Sequence, residues 1–117
     1  MRVALPVRRV SGDAGHNLRG LLSAVSKAAE QDADLVVFCE VSLTGLVNNG
    51  DPSHDLPLGV KIPGEETRHI ANAAKDNGLL VALGLFEREG DYSLTLAGFG
   101  ADLRNTIYRH VTFDTQQ

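Results

Sequence analysis

The chain has 117 residues, 43% of them hydrophobic, with a net charge of -4 and four Phe, two Tyr and no Trp. That length makes one domain with a modest core resting on Leu, Val and Ala. No Lys/Arg run is long enough to follow a phosphate backbone, and no apolar run approaches the roughly 18 residues of a membrane span, so neither nucleic acid nor a membrane is expected as a partner. The opening MRVALPVRRV is too short in its apolar part, and too soon charged again, to read as a signal peptide. A single cysteine, Cys39, excludes an internal disulfide and predicts a reducing, cytoplasmic setting.

Val3, Leu5 and Val7 alternate with Arg2, Ala4, Pro6 and Arg8, which predicts a first strand. Pro6 cannot donate to a ladder, so that strand belongs at an edge or carries a bulge. After a Gly/Asp turn over 11–15, Leu18, Leu21, Leu22, Val25, Ala28 and Ala29 recur at helical spacing, with Asn17 as the expected N-cap. A second strand is predicted over Leu35–Cys39, and residues 47–62 read as a long irregular loop. A second helix opens at Pro63 and Gly64, with Glu65 and Glu66 at its positive end, Lys75 near its negative end and Gly78 closing it. Strands are predicted over Leu79–Phe86, Ser93–Phe99 and Thr106–Phe113, with turns at 89–91 and 98–102. The order predicts an α/β sheet with its helices on one face.

The segment DADLVVFCEVSLTG, residues 32–45, carries the chemistry. A short apolar run followed by Glu40 and a small-residue loop places a carboxylate at the C-terminal end of a buried parallel strand, where open α/β sheets present reactive groups. Read alone, Glu40 is a solvated carboxylate at a strand end. Cys39 alternates with it and is expected to turn into the core. His16, His54 and His69 have no metal-ligand spacing, and Glu65 and His69 make at most a surface pair on one helix face. Ser42 or Thr44 acting with His110 as a hydroxyl nucleophile is disfavoured. Gly45 and Gly84 point to close backbone approaches, not to a phosphate loop, because no GxGxxG or GxxxxGK spacing occurs. Glu87-Arg88-Glu89 reads equally as a feature near an active-site entrance or as an exposed turn with a surface ion pair.

Five pieces in this order resemble the N-terminal part of the carbon–nitrogen hydrolase family, the nitrilase superfamily: the helix from Asn17, ADLVVFCEVSLTG, IPGEET, NGLLVALGLFEREGDYS and IYRHV. The resemblance spans nearly the whole chain, residues 1–117, as the N-terminal half of a truncated family domain. It implies half of an αββα sandwich in which two α/β halves pack sheet to sheet. It also implies a Glu–Lys–Cys triad: the glutamate deprotonates the thiol, the thiolate attacks an amide or nitrile carbon, and the lysine stabilises the developing charge. By that resemblance Glu40 holds the general-base position. His110 stands where the lysine falls after Tyr108 and Arg109, and the cysteine nucleophile lies beyond Gln117. No cofactor or metal is implied. One of three catalytic groups is then present, and the polypeptide is not expected to be a competent hydrolase by itself.

Two readings follow. One is a hydrolase of non-peptide C–N bonds with an incomplete triad and a small amide or nitrile as its ligand. The other is a non-catalytic dimeric binding module, or a pseudoenzyme remnant. The sheet face away from the helices should be Leu/Val-rich and uncovered, which predicts a homo-oligomer formed by stacking sheet faces.

Overall fold

The computed structural model describes residues 1–45, 51–62, 64–89, 93–99 and 106–114; Pro52, Glu89 and the last two segments are described as backbone only. The described elements are strand β1 (Val3–Ala4), helix α1 (Ala14–Glu30), strand β2 (Leu35–Val37), the short helix α2 (Pro52–Asp55) with a 3₁₀ turn (Leu56–Leu58), helix α3 (Glu65–Asn77), and strands β3 (Leu80–Glu89), β4 (Ser93–Phe99) and β5 (Thr106–Asp114). They form one sheet in the order β1-β2-β3-β4-β5. The first three strands are parallel, while β4 and β5 join antiparallel.

The first strand is shorter than its alternation predicts. Only Val3 and Ala4 pair, against Leu35 and Val36. Pro6 lacks an N–H, and β1 sits at the end of the order, where such a residue is tolerated. Helix α1 starts earlier than expected and its N-cap is Asp13, not Asn17. The Asp13 Oδ1 accepts the amides of Gly15 (2.9 Å) and His16 (3.2 Å), two donors the first turn would otherwise leave unpaired. Asn17 lies one turn inside and has other work. The helix ends through Asp32, a non-glycine residue at φ 58, where the amide of Ala33 reaches back to the Ala28 carbonyl (3.0 Å).

Helix α3 follows its sequence signals. The Thr67 Oγ1 accepts the Gly64 amide at 3.0 Å, Glu65 and Glu66 lie in the first turn, and Lys75 lies in the last. Gly78 adopts the left-handed conformation (φ 63) that lets its amide return to the Lys75 carbonyl. Pro63 and residues 90–91 of the turn predicted over 89–91 lie outside the described residues, as do 46–50 of the long connection and 100–102 of the turn predicted after β4. The rest of that connection is more ordered than its composition predicts. It forms α2 and the 3₁₀ turn, then Val60 bridges to β3, donating to the Phe86 carbonyl and accepting from the Arg88 amide, both at 2.9 Å.

The core lies between the sheet and the two long helices, which pack on each other. Val25, Val36, Ile70, Val81 and Leu85 are fully buried there, each contributing about 1.5–3 kcal/mol. Register explains which strand residues enter it. Ala4, Val36 and Val81 are aligned and face the helices, whereas Val3, Leu35 and Leu80 are aligned on the opposite face. On that second face Val3 and Leu80 remain 46% and 47% exposed. The helices therefore cover one face of an α/β sheet, as the element order predicts.

Candidate functional site

Regular pairing of β2 stops at Val37, two residues before the predicted end. Phe38 makes one more sheet bond, its amide to the Ala82 carbonyl at 2.9 Å, and the chain then turns. Alternation ends with the strand, so Cys39 does not enter the core as expected: it is exposed. Glu40 is exposed on the same turn, at the carboxyl end of a central parallel strand. Among the described residues, no hydrogen bond or ion pair engages its carboxylate.

The backbone beneath that carboxylate is held closely. Leu83 and Leu85 face the helices, so the space a Gly84 side chain would fill lies on the other face. The Glu40 carbonyl occupies it. A Cβ at position 84 would fall well inside contact distance of the backbone O, C and Cα of Glu40. The Gly84 carbonyl accepts from the Leu43 amide (3.5 Å) and the Ser42 hydroxyl (3.4 Å). The Thr44 Oγ1 donates to the Gly45 carbonyl at 2.9 Å and accepts the Phe86 amide at 3.2 Å. Gly45 closes the turn at φ 71, with the Ser11 carbonyl 2.8 Å from where a Cβ would lie. Both predicted glycine approaches are present. Ser42 and Thr44 are buried and committed to backbone groups, so neither offers a free hydroxyl nucleophile beside Glu40.

Asn17 ties this turn to α1. Its Oδ1 accepts the Ser11 amide at 2.9 Å, and its Nδ2 donates to the carbonyls of Ser11 (2.8 Å) and Leu43 (2.9 Å). The residue is 5% exposed. A polar residue in the row 17, 21, 24, 25, 28, where every other member is apolar, was the signal for such a clamp.

His110 lies in β5, opposite Leu96 of β4. The strand order sets β5 three spacings from β2, about 14 Å along the sheet. Pairing within the sheet does not itself bring His110 to Glu40. Glu87 and Arg88 belong to β3 rather than to an exposed turn, and Glu87 is buried. His16, His54 and His69 are exposed, and no group of three metal-ligating side chains occurs among the described residues. The Nδ1 of His54 lies 2.8 Å from the buried carboxylate of Asp55, a pairing inside α2 that the sequence reading did not single out. No helix among the described residues is long and apolar enough to cross a membrane.

The fold matches solved hydrolases. Three structures of the amidase from Nesterenkonia sp. AN1 align at 20% identity: a variant with acrylamide added at the active-site cysteine (TM-score 0.64, 93% of this chain), a variant described as an amidase from the nitrilase superfamily (0.65, 95%) and a variant in complex with butyramide (0.63, 95%). In each case the match takes in 42% of the amidase chain. At that identity the likeness is one of fold. The sheet with helices on one face thus corresponds to one α/β layer of a nitrilase-fold chain. Membership rests on the family model described as carbon–nitrogen hydrolase, which matches residues 3–115. The chain belongs to the carbon–nitrogen hydrolase family. No curated protein matches it in a sequence search.

Proposed function

We propose that these 117 residues supply the general-base layer of an enzyme that hydrolyses small non-peptide amides or nitriles, with Glu40 as the base. The observation that supports this reading best is the close seating of the Glu40 backbone over Gly84, at the carboxyl end of a central parallel strand. Short aliphatic amides are the natural first substrates to try, since the related amidase was solved with butyramide. By the family resemblance the thiol nucleophile falls beyond Gln117, and His110 stands at the lysine position. An imidazole with a reference pKa of about 6.5 is a poor substitute for a permanent ammonium. Loss of a nucleophile costs on the order of a million-fold in rate. The 117-residue polypeptide alone should therefore release no ammonia from butyramide above the buffer rate. Turnover that Glu40→Gln abolishes would overturn the inactivity. Turnover that survives Glu40→Gln would remove Glu40 from the base role. A reducing, cytoplasmic location suits the exposed Cys39 thiol.

A second, non-catalytic reading draws on the uncovered sheet face. Val3, Leu35 and Leu80 line up across three strands with Val37 and Ala82 beside them, and none of these is charged. The occupant proposed for this face is a second copy of the chain, stacked sheet to sheet. A patch of a few hundred Å² per copy is small against the roughly 1,600 Å² of a stable interface, so association should be concentration-dependent. Sedimentation equilibrium should detect a dimer that Leu80→Lys abolishes. A monomer at all concentrations would exclude it.

A further inference from the structure

The segment Pro6–Val10 leaves the sheet after β1 and crosses α1, enclosing a cavity of about 190 Å³ against Asn17, Leu21, Phe38, Cys39 and Ser42. A dry cavity of about 150 Å³ already accepts a benzene ring, so this one has room for a short hydrocarbon chain. Its apolar walls come from Val10, Leu21 and Phe38, and Glu40 does not line it. Two basic residues, Arg8 and Arg9, also line it. Arg8 lies across Gly20 of α1, where a Cβ would overlap the guanidinium. Both arginines are exposed, and among the described residues neither has a carboxylate partner. The remaining polar atoms of the cavity carry no negative charge. Asn17 is fully engaged, the Ser42 hydroxyl is directed at the Gly84 carbonyl, and Cys39 presents its thiol.

We infer that this cavity binds a small monocarboxylate with a short apolar tail. The hydrocarbon would fill the space between Val10, Leu21 and Phe38, and the carboxylate would meet Arg8 and Arg9. Two arginines with no carboxylate partner among the described residues, beside an apolar cavity, select for a ligand anionic at one end only, because a charged hydrogen bond there adds to hydrocarbon burial inside. A neutral amide of the same length keeps the burial and loses the charge.

Cys39, the only cysteine, reports on occupancy. The rate of its alkylation by iodoacetamide is measured on the 117-residue protein as hexanoate is added at constant ionic strength. Hexanoate should slow the reaction saturably. Hexanamide should require roughly tenfold or more higher concentration for the same protection. The double variant Arg8→Gln/Arg9→Gln should lose the difference between the two ligands, with an unchanged melting temperature because both side chains are at the surface. Absence of saturable protection would overturn the proposal. So would equal protection by hexanoate and hexanamide in the unaltered protein, a comparison that needs no variant to fold. Neither readout depends on amide hydrolysis, so failure here leaves the Glu40 reading untouched, and failure of that reading leaves this one standing.

Discussion

Gly84→Ala should cost the chain more than the same change at Gly12, Gly15, Gly20 or Gly64. The added Cβ would point away from the helices into the space held by the Glu40 carbonyl, carbon and Cα. All three are backbone atoms, so no rotamer change can relieve the overlap. Either β3 bends or the turn over 38–45 moves. Overpacking of this kind costs about 1–3 kcal/mol, and a clash with backbone alone belongs at the upper end. Movement of the turn would also weaken the two long hydrogen bonds to the Gly84 carbonyl, from the Leu43 amide and the Ser42 hydroxyl. The expected loss is therefore about 3 kcal/mol, from a total of roughly 6–18 kcal/mol for a domain of this length. With a urea m-value of about 1–3 kcal/mol/M, the midpoint should fall by roughly 1–3 M. Gly12→Ala is the control, since a Cβ there meets nothing within 4 Å and should change stability by less than about 0.5 kcal/mol. A Gly84→Ala protein within about 0.5 kcal/mol of the unaltered chain would refute the proposed seat for Glu40.

Asn17→Ala strips the partner from the buried Leu43 carbonyl and from the Ser11 amide, and should cost about 2–4 kcal/mol by urea titration; Asn72→Ala, at an exposed helix position, should cost nothing measurable. Asn17→Asp should do worse at neutral pH, because an oxygen would replace the Nδ2 that faces two carbonyls. The Asp51 carboxyl is held below its ordinary value of 3.8, first by the Ser53 hydroxyl at 2.7 Å and then by the Ser53 amide. A depressed folded-state pKa gives stability that is present above pH 3.8 and lost as pH falls through the folded value, so this contribution matters only in acid. An NMR titration should place the Asp51 midpoint below 3.8, with Ser53→Ala moving it upward; no movement would remove the hydroxyl as the cause.

Much of the layer was legible because its signals are local. The Leu/Val/Ala spacing of α1, the glutamates and Gly78 that bound α3, and the strands at β3, β4 and β5 each follow from a few adjacent residues. The family was legible from motif order, above all from the Glu40 segment. What escaped the sequence depends on where regular structure stops. Cys39 was expected in the core on the premise that β2 runs through it, but the strand ends at Val37 and alternation with it. Asn17 was read as a cap because it precedes the apolar run, whereas Asp13 starts the helix four residues earlier and frees Asn17 for the turn. For Glu87 an exposed turn was one of two equal readings of the charge cluster at 87–89, yet the bridge from Val60 extends the sheet alongside it and Glu87 is buried. That bridge closes a connection whose course no short-range signal records. The Arg8–Arg9 cavity is likewise invisible in sequence, since Pro6–Val10, α1 and the 38–42 turn meet only in the fold.

The central claim is that this chain, by itself, builds and holds the turn that presents Glu40. Amide hydrogen exchange of the 117-residue protein tests it most directly, read at Phe38, Gly45 and Phe86. Phe38 donates to the Ala82 carbonyl, Gly45 to the Val41 carbonyl and Phe86 to the Thr44 hydroxyl. All three amides should be protected to nearly the same extent as the core strand residue Val81, and Thr44→Val should release Phe86 while leaving Phe38 protected. Exchange of these amides at the rate of an unstructured peptide, with Val81 still protected, would contradict the account: the sheet would then form without fixing Glu40 in place.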